Sequence, residues 1–407
     1  MPNIEEYEPI VGKSTISELR YLAGKLEGKS VQNVNATAVG GGVAEILSRM
    51  VPLLRQLGVD AYWDVIRGGE RFFQFTKRMH NALHGRAEAF EPQDFQVFDE
   101  TTQMNLDYLN LHADIIFIHD PQPIGLVRKQ ATNGAKKWVW RCHIDFSNPQ
   151  PEIWQFLRGF IEQYDTAVFS APAFSRPLST RQVLISPSID PLSDKNKELP
   201  EEQIREIVER LGLDTSRPII TQISRFDYLK DPTGVIDVFH MVKRCVDCQL
   251  VLAGGGATDD PEGEQVLALV RERAAEDSDI HVIFLPPASD VEINAIQRAS
   301  TVILQKSLRE GFGLTVTEAL WKAKPVVASA VGGIPLQIAH KYSGLLSHTI
   351  EGAAYGVRQI LNAPEYGRRL GQNGREYVRQ NFLITRHIRD YLLLFLSLIY
   401  EGDIVYL

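Results

Sequence analysis

Two carboxylates, Glu310 and Glu318, stand eight positions apart in the stretch 307–335, SLREGFGLTVTEALWKAKPVVASAVGGIP, across a turn in which Gly311 and Gly313 flank Phe312. The pattern after the turn predicts a helix opening at about Leu314. The first turn of a helix exposes unpaired N–H groups with partial positive charge, a seat for phosphate. A carboxylate beside that seat can hold hydroxyls, so the pair suits a ligand carrying both groups, of which a nucleotide sugar is one. Glu318 has a rival role, because Thr315-x-x-Glu318 is a capping-box pattern in which the acid only closes the helix start. Glu310 has none, and Gly332-Gly333-Ile334-Pro335 adds a second turn expected to line the same site.

Other candidates follow apolar runs. Arg225 and Lys230, in ISRFDYLKDP, put two positive charges on one loop. Together they suit a diphosphate, arginine as a fork for two oxygens and lysine as a mobile point charge, unless the loop is merely solvated. His119 ends DIIFIHD and leads into Asp120-Pro121-Gln122-Pro123, while Arg141 and His143 end KKWVWRCHID. A lone histidine is more often a hydrogen-bonded structural residue, and that reading stays open for both. Gly40-Gly41-Gly42 lets a backbone pass close to a ligand, but the dinucleotide fingerprint G-x-G-x-x-G is missing, since Val43, Ala44 and Glu45 come next.

The elements that must position these residues alternate. Strands are predicted at 30–35, 61–66, 114–119, 137–141, 166–170 and 182–186, with a helix at 43–57 and helical or loop sequence between the others. A Pro, Ser, Asp and Lys-rich connection at 186–199 precedes a second series: helix 201–211, strand 219–224, helix 233–244, strand 249–253, helix 262–275, strand 281–285, helix 291–299 and strand 301–305. The opening stretch and a strand at 325–328 complete it. The reading is α/β, two Rossmann-like doubly wound domains in tandem sharing a central cleft, since ligands bind beyond the carboxyl ends of such strands. The helical tail at 356–382 and 385–399 packs on either domain as far as pattern tells.

Length and composition set the bounds. With 407 residues and 44% hydrophobic content, two ordinary cores are expected. A net charge of -8, with no basic run, argues against a dedicated nucleic-acid binder. The acidic opening MPNIEEYEPIVGKS lacks the order of a signal peptide, and no apolar run approaches the roughly 20 residues of a spanning helix, so a cytoplasmic protein without membrane attachment is expected. Cys245 and Cys248 are expected to be buried thiols rather than a metal pair, and the sequon at Asn35 is idle without secretion. Asp277-Ser278-Asp279 precedes a strand, the wrong end for a site, and is expected to be a solvated loop.

Together EGFGLTVTEA, SRFDYLKDP, NATAVGGGVAEIL, IHDPQP and WRCHIDFS resemble the retaining glycosyltransferases of GT-B fold with the E-x7-E signature, over nearly the whole chain. Within that family the likeness is to the trehalose glycosyltransferring synthases, and next to the trehalose phosphorylases. The resemblance implies an acceptor-binding domain at 1–190 with a returning helix at 385–407, and a nucleotide-sugar domain at 191–384. It implies that Arg225 and Lys230 neutralise the leaving diphosphate, Glu310 contacts the donor sugar and Glu318 the ribose. Gly41, Gly42, Gly311, Phe312, Gly313 and Leu314 would lie along the nucleotide sugar. His119 would face the donor sugar near its reacting carbon, and Asp120, Gln122, Arg141 and His143 would shape the same cleft.

The implied reaction joins a nucleoside diphosphate glucose to free glucose as trehalose, with no metal and no further cofactor, in a homodimer. A phosphorylase, another acceptor as in sucrose-type synthesis, and a two-domain binding protein without turnover are the alternatives.

Overall fold

The computed structural model describes residues 2–39, 42–132, 136–255, 261–286 and 288–400. Two parallel sheets of six strands each organise the chain. The first comprises β1 (Ser30–Asn35), β2 (Asp60–Val65), β3 (Ile115–His119), β4 (Lys137–Arg141), β5 (Thr166–Phe169) and β6 (Arg181–Leu184), in the order β2-β1-β3-β4-β5-β6. The second comprises β7 (Ile219–Ile223), β8 (Gln249–Gly254), β9 (Ile280–Phe284), β10 (Val302–Gln305), β11 (Val326–Ser329) and β12 (Leu345–Ser347), in the order β12-β11-β10-β7-β8-β9. Strand order reverses between β1 and β3 in one sheet and between β7 and β10 in the other. At such a switch point the crossover helices diverge to opposite faces and leave a crevice at the carboxyl ends.

The apolar runs of the sequence become strands because both faces of each sheet are covered: β3 and β7 are buried at every residue. In the second sheet, Ile220, Leu250 and Leu252 pack with Val235, Phe239 and Val357 on one side, while Ile219, Ile223 and Val251 meet Val208 and Ile296 on the other. Helices Pro232–Lys243 and Ile350–Asn362 supply the first layer, Glu201–Arg210 and Asp290–Ala299 the second.

The chain divides into two compact units, one running to Ser188 and resuming at Ile384, the other holding Ile189–Leu383. The last helix, Ile384–Ile399, belongs to the first unit: Tyr391 packs edge-on against Phe117 of β3 at 5.0 Å, and Arg389 Nε reaches Glu18 Oε1 at 2.8 Å. Its apolar stretch is therefore core, and among the described residues no helix is long and apolar enough to cross a membrane.

Several elements differ from expectation. The helices Glu70–Leu83, Pro92–Tyr108 and Pro151–Ile161 fill what the sequence left as helical or loop connections, and β12, only three residues long, completes the second sheet. Cys248 is buried but Cys245 is exposed, with Arg358 Nη1 3.4 Å from its sulfur, because it follows the end of the helix Pro232–Lys243. Asp277 and Asp279 are not simply solvated: Lys243 Nζ lies 2.5 Å from Asp277 Oδ1 and 2.8 Å from Asp279 Oδ2, and Arg217 Nη2 lies 2.8 Å from Asp279 Oδ1. Among the described residues no acidic, histidine or cysteine cluster has the makings of a metal site.

Candidate functional site

In the second unit the chemistry gathers where β7 and β10 end, at the switch point. The loop after β7 carries Arg225, exposed and 3.3 Å from Asp227 Oδ2, and a single 3-10 turn, Tyr228–Lys230, capped by Asp227 Oδ1 accepting from Leu229 N–H at 2.8 Å. The loop after β10 carries Glu310. Gln222, on β7, ties the two together: its Nε2 donates to the Lys230 carbonyl at 2.9 Å, and its Oε1 accepts from Lys306 N–H at 2.8 Å. Leu308 N–H donates to the Leu229 carbonyl at 2.8 Å. Lys230 is thereby delivered to Glu310, with Nζ 2.8 Å from Oε1 and 2.6 Å from Oε2, and Ser307 Oγ donates to Oε2 at 3.1 Å.

The glycines of this region act through geometry. Gly313 caps the helix Leu314–Trp321 at φ 83, a left-handed conformation that turns the chain out of the Glu310 loop into the helix. Gly332, at φ 54, lies so close under Glu310 that a Cβ there would overlap the Glu310 carbonyl, and Gly333 N–H donates to the Gly311 carbonyl at 3.1 Å. Gln337 Nε2 donates to the Phe312 carbonyl, while Gln337 Oε1 accepts from Thr317 Oγ1 at 2.5 Å. The stretch that carries Gly311, Phe312 and Leu314 is thus locked against the second glycine turn.

The capping-box role of Glu318 is not realised. With Gly313 as the cap, Thr315 falls inside the helix and its hydroxyl donates to Gln305 Oε1 at 3.1 Å. Glu318 is instead buried, with Lys195 Nζ 3.9 Å from Oε1. One turn later Lys322, also buried, donates to Asn196 Oδ1 at 3.0 Å and to the Glu318 carbonyl at 3.2 Å. Burial pushes the Lys322 amine down to about 7, against the attraction of Glu318.

Sequence reasoning missed Lys195, Asn196 and Lys322, which have no motif, and Lys306, whose Nζ lies 2.6 Å from Asp231 Oδ2. Lys306 directly follows β10, the same strand-end signal that marked Arg225.

In the first unit the polar groups gather at the carboxyl ends of β1, β3 and β4. Neighbouring strands place Asn33 beside His119, whose Nε2 is 3.0 Å from Asn33 Oδ1 and whose Nδ1 is 3.2 Å from His143 Nε2. The two imidazoles stack with ring centroids 5.5 Å apart. His119 is buried, with both ring nitrogens used by protein, and the half-buried member is His143. Burial and the nearby Arg141 cation push the His119 imidazole down to about 3 and hold that of His143 well below its usual value, so both are neutral at pH 7.

Asp120 bends the chain after β3 at φ 66 and accepts the His143 backbone N–H on Oδ1 at 2.8 Å; burial, only partly offset by that N–H and by Arg141, pushes its carboxyl up to about 6. Arg141 is wholly buried: Nη2 donates to Ser170 Oγ at 3.2 Å, and Nε and Nη1 have no partner among the described residues. Gln122 turns into a small crevice with Thr101, Thr102 and Asn105, its Oε1 unpartnered among the described residues. Gly42 opens the helix Gly42–Gln56, and Gly41 lies outside the described residues.

Two family models account for most of the chain. One described as the trehalose synthase N-terminal domain matches residues 33–176, and one for group 1 glycosyl transferases matches residues 203–377. The chain is 43% identical to the trehalose synthase of Pyrococcus horikoshii over 96% of its own length and 95% of that protein's. It is 32% identical to the trehalose phosphorylase of Grifola frondosa, over 88% of this chain and 56% of the other. Sucrose-phosphate synthase from Thermosynechococcus elongatus shares the fold, with a TM-score of 0.71 at 18% identity, covering 91% of this chain and 99% of that one. Coverage and identity of this order leave one assignment: the chain is a GT-B glycosyltransferase belonging to the trehalose synthase family.

Proposed function

We propose that the protein transfers glucose, with retention, from a nucleoside diphosphate glucose to free glucose, forming α,α-trehalose and a nucleoside diphosphate. The observation that carries this reading is the Lys230–Glu310 pair, held at the β7/β10 switch point beside Arg225 and the start of the helix Leu314–Trp321. Arg225, Lys230 and the helix amides receive the diphosphate, Glu310 takes donor sugar hydroxyls, and Glu318 the ribose. The first unit, with Asp120, Gln122 and His143, takes the acceptor sugar.

As the bond from C1 to the phosphate oxygen breaks, its electron pair leaves with the diphosphate, where fixed positive charge stabilises it. The acceptor oxygen bonds to C1 on the same face, and its proton passes to the departing phosphate oxygen. Positive charge at the diphosphate comes from side chains, so the reading calls on no metal.

The likeness to a trehalose phosphorylase favours a second reading, with inorganic phosphate in place of the nucleotide diphosphate. Incubating purified protein with glucose and UDP-, ADP- or GDP-glucose tests the first, and incubating it with trehalose and phosphate alone tests the second. A non-reducing disaccharide from at least one donor supports the synthase. Phosphate-dependent breakdown of trehalose without nucleotide, and no disaccharide from any donor, would replace it with the phosphorylase.

A further inference from the structure

Two ion pairs of opposite polarity cross between the loop after β7 and the loop after β10. Lys230 on the first meets Glu310 on the second; Asp231, the next residue on the first, meets Lys306 on the second, with Nζ 2.6 Å from Oδ2. The side chains of Lys306 and Asp231 are 11% and 16% exposed, so water does little to compensate either charge.

Asp231 meets three demands at once. Its backbone is left-handed, at φ 48 and ψ 52, where the 3-10 turn Tyr228–Lys230 ends. Its Oδ1 accepts the Gly234 N–H at 3.0 Å and caps the helix Pro232–Lys243, while Oδ2 faces Lys306. Glycine would meet the first demand and asparagine the first two; the third needs a carboxylate. Gly234 serves the same end, since a Cβ there would overlap the Asp231 carboxylate. The consequence falls on Lys230. Its carbonyl accepts from Gln222 Nε2 at 2.9 Å, the residue after it is pinned by Lys306, and Gln222 Oε1 accepts the Lys306 N–H at 2.8 Å. With the backbone held there, the long side chain of Lys230 is the part that can turn.

We propose that Asp231 and Lys306 are positioning residues that keep the two loops clasped while Lys230 leaves Glu310 for the diphosphate of the donor, so that the site opens by rotation of one side chain and the loops do not part. This rests on the reading of Lys230 as a diphosphate ligand. A phosphate that drew Lys306 away would leave Asp231 uncompensated beside an anion, whereas Glu310 gains sugar hydroxyls in exchange for its lysine. Lys230 is therefore the lysine that moves.

A double-mutant cycle on the full-length protein tests the clasp. Affinity for UDP, ADP and GDP is measured by calorimetry in wild type, K230A, D231N/K306M and the triple variant, with melting temperatures on the same preparations. D231N/K306M removes both charges at nearly constant volume, so its melting temperature is expected to stay near that of wild type, whereas D231N alone lowers it by leaving Lys306 buried without its partner. For the nucleotide that wild type binds most tightly, D231N/K306M is expected to bind about tenfold more weakly, and in the K230A background the same two changes should cost less than about twofold, because the clasp acts through Lys230. Similar losses in both backgrounds would show that Lys306 meets the diphosphate itself, and unchanged affinity in D231N/K306M would leave the pair a structural role alone; either result overturns the proposal. Hydrogen exchange at the Leu308 amide, which bonds the Leu229 carbonyl at 2.8 Å, reads loop separation in wild type without any variant. Adding nucleotide is expected to leave its protection unchanged, and a fall would overturn the clasp. K230A binding nucleotide as tightly as wild type would instead defeat the reading of Lys230 as a diphosphate ligand, and the clasp with it.

Discussion

Lys230 Nζ bridges both oxygens of Glu310, at 2.8 and 2.6 Å, although the two residues are 80 positions apart. The pairing is imposed by backbone: Gln222 holds the Lys230 carbonyl and the Lys306 N–H at once, and Leu308 N–H closes on Leu229. Without ligand, the pair satisfies two nearly buried opposite charges. In the reaction we propose, a bound nucleotide sugar would turn the lysine to phosphate and the glutamate to sugar hydroxyls, so that one contact would serve stability before binding and chemistry after it.

These two roles separate by mutation. K230A is expected to lower turnover by roughly 100-fold or more, as loss of a charge stabilising the leaving group does, and to lower the melting temperature because Glu310 is left uncompensated. In K230A/E310Q the melting temperature is expected to recover while turnover stays low. Thermal denaturation and kcat on the same preparations check this, and joint recovery of both would make the lysine merely structural.

Gly332 gives a test of the loop packing. G332A places a methyl group against the Glu310 carbonyl at a φ of 54, and is expected to cost about 1–3 kcal/mol in urea unfolding. Donor affinity by calorimetry should fall at least about tenfold, because Glu310 must move. Unchanged donor affinity would show that Glu310 does not contact the donor.

Lys322 predicts a pH dependence whose sign follows from burial. The unfolded lysine keeps its proton up to the ordinary 10.5, the folded one only to about 7. Between these values the unfolded state binds more protons, so unfolding free energy rises with pH, by up to about 1.4 kcal/mol per unit from this residue. Urea titrations of wild type and K322M from pH 7 to 9 are expected to converge or cross as wild type gains. Parallel curves would exclude a depressed lysine.

The returning helix separates packing from polarity at one residue. Tyr391 is fully buried against Phe117, yet its hydroxyl has no hydrogen-bond partner among the described residues. Y391A is expected to cost about 3–5 kcal/mol, whereas Y391F should be neutral or stabilising by about 1 kcal/mol, because it removes an unsatisfied polar atom. Denaturation midpoints of both variants check the pair of signs, and a large loss for Y391F would mean that the hydroxyl is bonded.

Much of this was legible because strand ends announce themselves: His119, Arg141, Arg225 and Glu310 each close or follow an apolar run, and all stand at or beside the carboxyl end of a parallel strand. Partnerships were not legible. Gln222 looks like one polar residue in an apolar strand until the fold brings Lys230 and Lys306 to it, and Asn33 looks the same until His119 arrives from 86 positions away. Local pattern also misled where a glycine decided the geometry: the left-handed cap at Gly313 starts the helix so that Thr315 and Glu318 do not form a capping box. The helix 92–108 was blurred by a mixed polar and aromatic composition with weak periodicity, whereas the helix 70–83 buries Phe72, Phe75, Met79 and Leu83 at a helical spacing that was there to be read.

Retaining transfer of glucose from a nucleotide donor to glucose leaves its signature in the anomeric configuration of the product. Proton NMR of the disaccharide formed by purified protein from a nucleoside diphosphate α-glucose and free glucose tests it most directly. The expected product is α,α-trehalose, released together with one equivalent of nucleoside diphosphate; an α,β- or β,β-linked product, or no non-reducing disaccharide with any of UDP-, ADP- and GDP-glucose, would rule out this reaction.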